Sequence, residues 1–293
     1  MSLRRSAISA LFGVTGGVLA LFASAAAHGA EGGGGGAQHS QTASSGQVTA
    51  TVSWRGNFAE TWNFRLTIAR AGVRPFQTRV RSRECPRPTG GFACPWPAGD
   101  EPLAVRDLDG DGEPEAIVGG FTGGAHCCVL ALVYRWNGSA YATFENNFRD
   151  PGYRLVDLDR DGRYEFRTAD ARFAFLYGSF AESVFPIQIV RFEGTGFADV
   201  TDEFRDAVAK DTRRVRREYR RRAHSSNGLG VRSALAAYVA DLYQLDRGRA
   251  ANRTLRSALR RGLLEPGRFT VGPDGRRFIR NLKRHLRRWG YIG

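Results

Sequence analysis

Apolar residues occupy every second position in two neighbouring stretches: Val48, Ala50, Val52 and Trp54, then Trp62, Phe64, Leu66 and Ile68. Side chains alternate across a strand, so each run predicts a half-buried strand. Gly56 and Asn57 lie between them and predict a turn, which makes the pair a hairpin with one apolar face. Phe76, Thr78 and Val80 predict a third strand. Ala116-Ile117-Val118 and the unbroken apolar run Cys128 to Tyr134 predict two more. Phe166 begins another, and Ile187 to Phe192 forms the next. Two aromatic–turn–aromatic segments punctuate this region: Trp136-Asn137-Gly138-Ser139-Ala140-Tyr141 and Phe192-Glu193-Gly194-Thr195-Gly196-Phe197. Both read as hairpins, the first with Asn-Gly at its tip. Residues 47–201 are thus expected to be a β region of about three four-stranded units.

From Asp202 the period changes from two to three and four. Thr201 or Asp202 is placed to cap a helix running through Arg222, with Ala207, Val208, Val215 and Tyr219 on its apolar stripe. Val231, Leu235, Tyr238, Val239, Leu242 and Leu245 form a second amphipathic stripe. Ala250 to Leu264 carries a third, stopped by Pro266-Gly267, and Phe278, Leu282 and Leu286 mark a fourth ending near Trp289-Gly290. Residues 202–293 are expected to be a helical region, so the fold class is α+β.

Within the β region one nonapeptide occurs twice. Asp107-Leu108-Asp109-Gly110-Asp111-Gly112-Glu113-Pro114-Glu115 and Asp157-Leu158-Asp159-Arg160-Asp161-Gly162-Arg163-Tyr164-Glu165 both read D-L-D-x-D-G-x-x-E, 50 residues apart. The two hairpins recur 56 residues apart, so two landmarks report one internal repeat. Carboxylates at positions 1, 3, 5 and 9 crowd too many like charges to sit together without a cation, and hard oxygen ligands in a flexible loop suit Ca²⁺. The Gly at position 6 allows the turn that lets alternate side chains converge. An EF-hand is disfavoured: position 12 is Val118 in one copy and Thr168 in the other, and the flanks are strands.

The two loops, set between strands and followed by aromatic–Gly–aromatic hairpins, resemble the FG-GAP/VCBS repeat, found in the calcium-binding blades of the integrin alpha-chain β-propeller and in bacterial exported proteins. The resemblance covers residues 103–201. It implies antiparallel blades forming a partial β-propeller, because 47–201 is too short for a closed seven-bladed ring. It also implies two ligand sets. The first is Asp107, Asp109, Asp111, the Glu113 carbonyl and Glu115; the second is Asp157, Asp159, Asp161, the Arg163 carbonyl and Glu165. Since position 7 would contribute its carbonyl, the Arg163 side chain is free to point away, and Arg160 points outward. Their positive charge nonetheless makes the second loop the weaker one on this reading.

Residues 1–27 read as a cleaved secretory signal: Arg4 and Arg5, an apolar stretch from Leu11 to Phe22, then small residues at Ala23-Ser24-Ala25 or Ala25-Ala26-Ala27. Residues 28–46, with the run Gly32 to Gly36, are expected to be a flexible linker. No stretch after the signal is long and apolar enough to span a bilayer, so a secreted, extracellular or cell-envelope protein is expected. Export makes oxidised cysteines the expectation. Four cysteines allow three pairings; Cys85–Cys94 with a vicinal Cys127–Cys128 bond is favoured, and a crossed pairing of the two clusters is the alternative.

The formal charge of +14 is unevenly spread. Residues 1–201 hold 19 Lys+Arg against 20 Asp+Glu, whereas residues 202–293 hold 24 against 9. Arg213-Arg214-Val215-Arg216-Arg217 with Arg220-Arg221-Arg222 reads as a run unmatched by acids, a candidate surface for an anionic cell-envelope polymer or carbohydrate. Nucleic acid is not expected, since no nucleic-acid fold signature accompanies the run. Thr122-Gly123-Gly124-Ala125-His126-Cys127-Cys128 brings a His beside two thiols. Adjacent strand residues point to opposite faces, so the segment reads as a redox-locked turn and not as a metal or nucleophile site. Asn137-Gly138-Ser139 is a formal glycosylation acceptor on a tight hairpin. No P-loop, G-x-S-x-G, H-E-x-x-H or dinucleotide fingerprint is present, and Asp170, Glu182 and Asp199 form no carboxylate pair legible in one dimension. The expected role is an exported calcium-binding module for binding or adhesion to cell-envelope, carbohydrate or protein ligands, with an enzymatic role less favoured. A secreted hydrolase with a site between the β and helical regions is the alternative.

Overall fold

The computed structural model describes residues 36–56, 61–85, 94–98, 102–123, 128–225, 228–266 and 272–293. The chain divides into two compact units, residues 1–34 and 35–293. The first unit, and with it the expected signal 1–27, lies outside the described residues. Everything below concerns the second.

Its β region consists of three open antiparallel sheets. The first is a meander of β1 (Gln38–Ser45), β2 (Val48–Gly56), β3 (Thr61–Arg70) and β4 (Val73–Arg79). The second comprises β5 (Trp96–Pro97), β6 (Leu103–Arg106), β7 (Glu115–Phe121), β8 (Val129–Trp136) and β9 (Tyr141–Asn147), ordered β5-β7-β8-β9 with β6 also paired to β7. The third is β10 (Arg154–Val156), β11 (Glu165–Ala169), β12 (Ile187–Phe192) and β13 (Phe197–Asp199). Among the described residues four α-helices follow: α1 (Arg205–Ala223), α2 (Val231–Gln244), α3 (Gly248–Arg260) and α4 (Gly275–Arg288).

The strand sequences dictate how the sheets stack. On β8, Leu130, Leu132 and Tyr134 pack with Val52, Phe64 and Leu66 of the first sheet. Ala131 and Val133, on the opposite face, pack with Phe166, Val190 and Phe192 of the third. The middle sheet is therefore buried on both faces, which is why β7 and β8 read as unbroken apolar runs while β2 and β3 alternate. The far face of the third sheet, through Ile187 and Ile189, packs on Val208 of α1 and on Leu245. Each fully buried Leu or Phe removed from water contributes roughly 2–3 kcal/mol, and Phe148, Phe166, Phe192 and Phe197 add mutual ring contacts at 5.2–6.5 Å. The helices bury a separate core around Leu235, Leu255, Phe278 and Leu282.

Two boundaries differ from expectation. The linker expected at 28–46 contains β1, which pairs along its whole length with β2. Its sequence is polar apart from Ala43, so it carries no alternation signal. Edge hydrogen bonds and hydroxyl pairs, Thr42 Oγ1 to Thr51 Oγ1 at 2.9 Å and Ser44 Oγ to Thr49 Oγ1 at 3.0 Å, hold it instead. The first helix begins at Arg205, not at Thr201 or Asp202; Thr201–Glu203 is a separate 3₁₀ turn. The Thr201 hydroxyl, expected to cap the helix, bonds to Asp199 and receives the Ile189 N–H at 2.9 Å. Cys85 and Cys94 are disulfide-bonded as favoured. Cys128 is also in a disulfide, and Cys127 lies outside the described residues. Among the described residues no helix is long and apolar enough to cross a membrane.

One polar group is buried in the helical region at evident cost. Asp241 of α2 is fully buried, and neither carboxylate oxygen has a hydrogen bond of good geometry. Its polar neighbours are the Asp211 carboxyl of α1 and the Ile187 N–H, with Arg214 beyond. Burial chiefly, and the Asp211 charge next, push its pKa well above the usual carboxylate range. The folded protein therefore holds this proton more tightly than the unfolded chain. Stability from this site is fully present below the unfolded value and is lost as pH rises toward the folded one. Asp241→Asn keeps a donor toward Asp211 without the charge. Its melting temperature, followed by circular dichroism from pH 4 to 8, is expected to match or exceed the wild type, with a gap that widens as pH rises. A constant gap across the range would contradict this assignment.

Candidate metal centre

The repeated nonapeptides connect β6 to β7 and β10 to β11, joining strands that pair with one another. Leu108 is fully buried between the second and third sheets and pins the first loop from below. Position 4 is left-handed in both copies, at φ +78° for Gly110 and +66° for Arg160. Gly110 adopts this freely; Arg160 does so at about 1 kcal/mol. The acidic side chains then fold back on the loop's own amides. Asp107 accepts from Gly110 N at 2.7 Å and Gly112 N at 2.9 Å, Asp111 from Glu113 N at 2.8 Å, and Glu115 Oε2 from Leu108 N at 2.8 Å. The second loop repeats the pattern: Asp157 with Gly162 N at 3.2 Å, Asp161 with Arg163 N at 2.8 Å, and Glu165 Oε2 with Leu158 N at 3.2 Å. Three of these contacts recur at matching loop positions.

Three of the four expected side chains converge in each loop. One oxygen from each of Asp107, Asp109 and Glu115 lies within 4.8 Å of the others, and the same holds for Asp157, Asp159 and Asp161. Asp111 is drawn out of the first group by Arg135, whose Nη2 donates to it at 2.6 Å. Glu165 is kept out of the second by Arg191, whose Nε donates to it at 3.3 Å. The position-7 side chains are engaged elsewhere. Glu113 pairs with Arg70 of β3. Arg163 lies against the first loop, where a Cβ on Gly110 would meet its Cδ at 2.9 Å. Arg160 is exposed, as expected.

The donor set fits a hard divalent cation. Glu115 is fully buried, and its Oε1 has no hydrogen-bond partner. Burial, then the charges of Asp109, Asp111 and Asp107, raise its pKa to about 8 against the opposing Leu108 N–H. A buried carboxylate oxygen without a donor, facing two further carboxylates, is the arrangement that a calcium-type ion satisfies. In the second loop Asp157 Oδ1 is likewise buried without a partner, and its three aspartates make no ion pair among the described residues. Glu165 is raised by burial, with Arg191 opposing.

Three arginines and a glycine complete the site, and none was singled out from the sequence. Arg135 Nε donates to Asp109 at 2.6 Å and lies 3.8 Å from Glu115 Oε1. Arg191 is its repeat mate, 56 residues on, and each directly precedes the first aromatic of its hairpin. Aligning the hairpins would have found both. Arg70 arrives from another sheet and has no such signal. Gly194, in the second hairpin turn at φ +72°, passes so close that a Cβ there would meet Asp109 Oδ2 at 2.7 Å. Each loop thus has a guanidinium on its acids: Arg135 on Asp109 and Asp111 in the first, and Arg191 on Glu165 in the second.

No family model matches the chain, and no solved structure matches it. It is similar to a probable thylakoid lumen protein of Synechocystis sp., at 34% identity over 105 residues, covering 34% of this chain and 31% of that protein. It is also similar to an uncharacterized protein of Sinorhizobium fredii, at 30% identity over 89 residues, covering 30% of this chain and 14% of that one. The chain thus spans less than a third of either relative's length.

The remaining candidates fall elsewhere. His126 and Cys127 lie outside the described residues; the segment's ends, Thr122 and Cys128, are joined by Cys128 N to Thr122 Oγ1 at 2.9 Å. The arginine run is not unmatched by acids. Arg214 pairs with Asp211 at 2.7 Å, and Arg221 and Arg222 pair with Glu218 at 2.6 and 2.5 Å, because helical spacing of three and four brings them together. Arg213, Arg216, Arg217 and Arg220 are exposed without ion pairs among the described residues. Asp170 and Asp199 line one cavity of about 400 Å³. Both are occupied: Asp170 accepts from Arg172 and from Tyr291 Oη at 2.8 Å, and Asp199 accepts from Gln188 Nε2 at 2.8 Å and from Thr201. Glu182 does not line that cavity; it bonds to Ser179.

Arg135 neutralises a partly buried acid cluster, so its removal leaves Asp109 and Asp111 without their donor. Arg135→Gln is expected to lower stability in chelator-containing buffer by about 2 kcal/mol, read from urea unfolding. An unchanged midpoint would show that solvent screens the cluster fully.

Proposed function

We propose that the protein is an exported binding module whose two acidic loops hold calcium. The observation that carries this is the buried Glu115 oxygen without a donor, converging with Asp107 and Asp109, and the parallel convergence of Asp157, Asp159 and Asp161. Calcium would supply positive charge at these oxygens; the chain's own amides already preset the loops to receive it. Asp111 and Glu165 would complete each set after giving up Arg135 and Arg191. The role is structural, to stiffen the ends of the sheets. Three antiparallel sheets stacked face to face, two of them closing on aromatic hairpins beside acidic loops, support the FG-GAP/VCBS reading with a partial propeller arrangement. Export is supported by the sequence of residues 1–27, by the Cys85–Cys94 disulfide, and by a lumenal protein among the relatives. The exposed arginines of α1 suit an anionic cell-envelope polymer or a carbohydrate bearing acids.

The hydrolase alternative has one observation in its favour, the cavity that brings Asp170 and Asp199 together. Every oxygen of these two carboxylates already accepts a hydrogen bond from the protein, an arrangement that suits holding the turns after β11 and β13 in place. The binding reading therefore ranks first.

Calcium is expected to raise the melting temperature of the mature chain by several degrees, corresponding to about 2.7 kcal/mol at roughly a hundredfold excess over Kd, and a chelator is expected to reverse it. Asp109→Ala and Asp159→Ala should each remove part of the shift. Calorimetric titration should count two ions per chain, with Arg135 displaced from the first loop and Arg191 from the second as each fills. No shift with calcium, and none altered in either variant, would end this reading.

A further inference from the structure

We propose that the cleft between the third sheet and α1 binds an oxyanion, the phosphate or carboxylate group of a small organic acid, through Arg154 and Arg167. The cleft has a volume of about 500 Å³, within the range of small-molecule sites. Four arginines line it, Arg154, Arg167, Arg214 and Arg222, against two acids, Asp211 and Glu218.

The two pairs of arginines differ in kind. Arg214 is committed to Asp211 at 2.7 Å and to the Phe185 carbonyl at 2.9 Å. Arg222 is committed to Glu218 at 2.5 Å and to the Glu182 and Gly230 carbonyls. These form a fixed wall whose acids are already spent. Arg154 and Arg167 line the cleft from the sheet, both exposed, and neither guanidinium makes a hydrogen bond or ion pair among the described residues. They are direct cross-strand partners on β10 and β11. Like charges in that position repel and cost stability, the opposite of what an ordinary solvated pair would favour. An oxyanion between them converts the repulsion into charge-assisted bonds from two planar forks, the geometry guanidinium groups recognise best. This site shares no residue with the acidic loops and does not rest on the calcium reading. It is also distinct from the outward arginines of α1, which do not line the cleft.

The test is calorimetric titration of the full chain with inorganic phosphate, and separately with citrate, at constant ionic strength in chloride buffer. Saturable binding is expected for at least one of them. It should weaken about tenfold or more, a loss of ~1.4 kcal/mol or more, in the double variant Arg154→Gln/Arg167→Gln. Arg65→Gln/Arg79→Gln, an exposed cross-strand pair on the first sheet, should bind like the wild type. Phosphate alone binding would assign the site to phosphorylated ligands; citrate alone would assign it to carboxylates. No saturable binding of either anion into the millimolar range would overturn the proposal. An equal loss in both double variants would also overturn it, since that marks diffuse attraction. A second readout is independent of affinity. In anion-free, low-salt buffer Arg154→Gln should melt above the wild type, because it relieves the cross-strand repulsion. A lower melting temperature there would remove the physical basis of the site.

Discussion

Four carboxylates within nine residues repel one another, and at the first loop the arginines that meet their charge tie the β region together. In the structure the charge is met from all sides. Arg70 comes from the first sheet, Arg135 from the second, and from the third come the Gly194 turn and the Arg163 side chain. The loop is therefore the place where three otherwise separate sheets touch through polar contacts. Below it, Leu108 is buried in the apolar layer between the second and third sheets, so the loop is anchored from the core as well.

The layer order follows from which strands can bear burial on both faces. Only a sheet with continuous apolar strands can be the middle of a stack, and β7 and β8 are such strands. The first sheet, with alternating strands, is suited to an outer position, and the mostly polar β1 closes its edge with only Ala43 against the core. The third sheet presents a second apolar face through Ile187 and Ile189, which the helices cover. The helical region is thus part of the same compact unit and not a tethered appendage.

Charge is used differently in the two regions. Around the loops, arginines reach from neighbouring strands into acids and substitute for solvent. In the helices, acids are drawn inward: Asp211 and Asp241 lie between α1 and α2, and Asp170 is closed over by Arg172 and Tyr291 near the C-terminus. Arg172 also stacks over Trp289, so the last residues are held to the turn after β11 by one carboxylate and two rings. The surplus of arginine over acid then divides between an outward face of α1 and the cleft it forms with the third sheet.

Much of this was legible in one dimension. Period-two and period-three-to-four patterns located most strands and all four helices, since burial of one face imposes those periods directly. The acidic loops were legible because carboxylates at fixed offsets with a turn glycine have few other uses, and their repetition made them a unit. What stayed hidden has a common cause. Polar β1 is held by backbone hydrogen bonds, which leave no side-chain pattern. Arg70, Arg135 and Gly194 meet the first loop from distant segments, and no local spacing announces a partner on another sheet. Arg154 and Arg167 lie 13 residues apart in sequence yet face each other because the intervening loop returns the chain. Sequence alone determined most of the elements and the paired acidic loops, because those depend on residues close along the chain. Only the tertiary structure decided which charges meet, because electrostatic partners are chosen by distance in space.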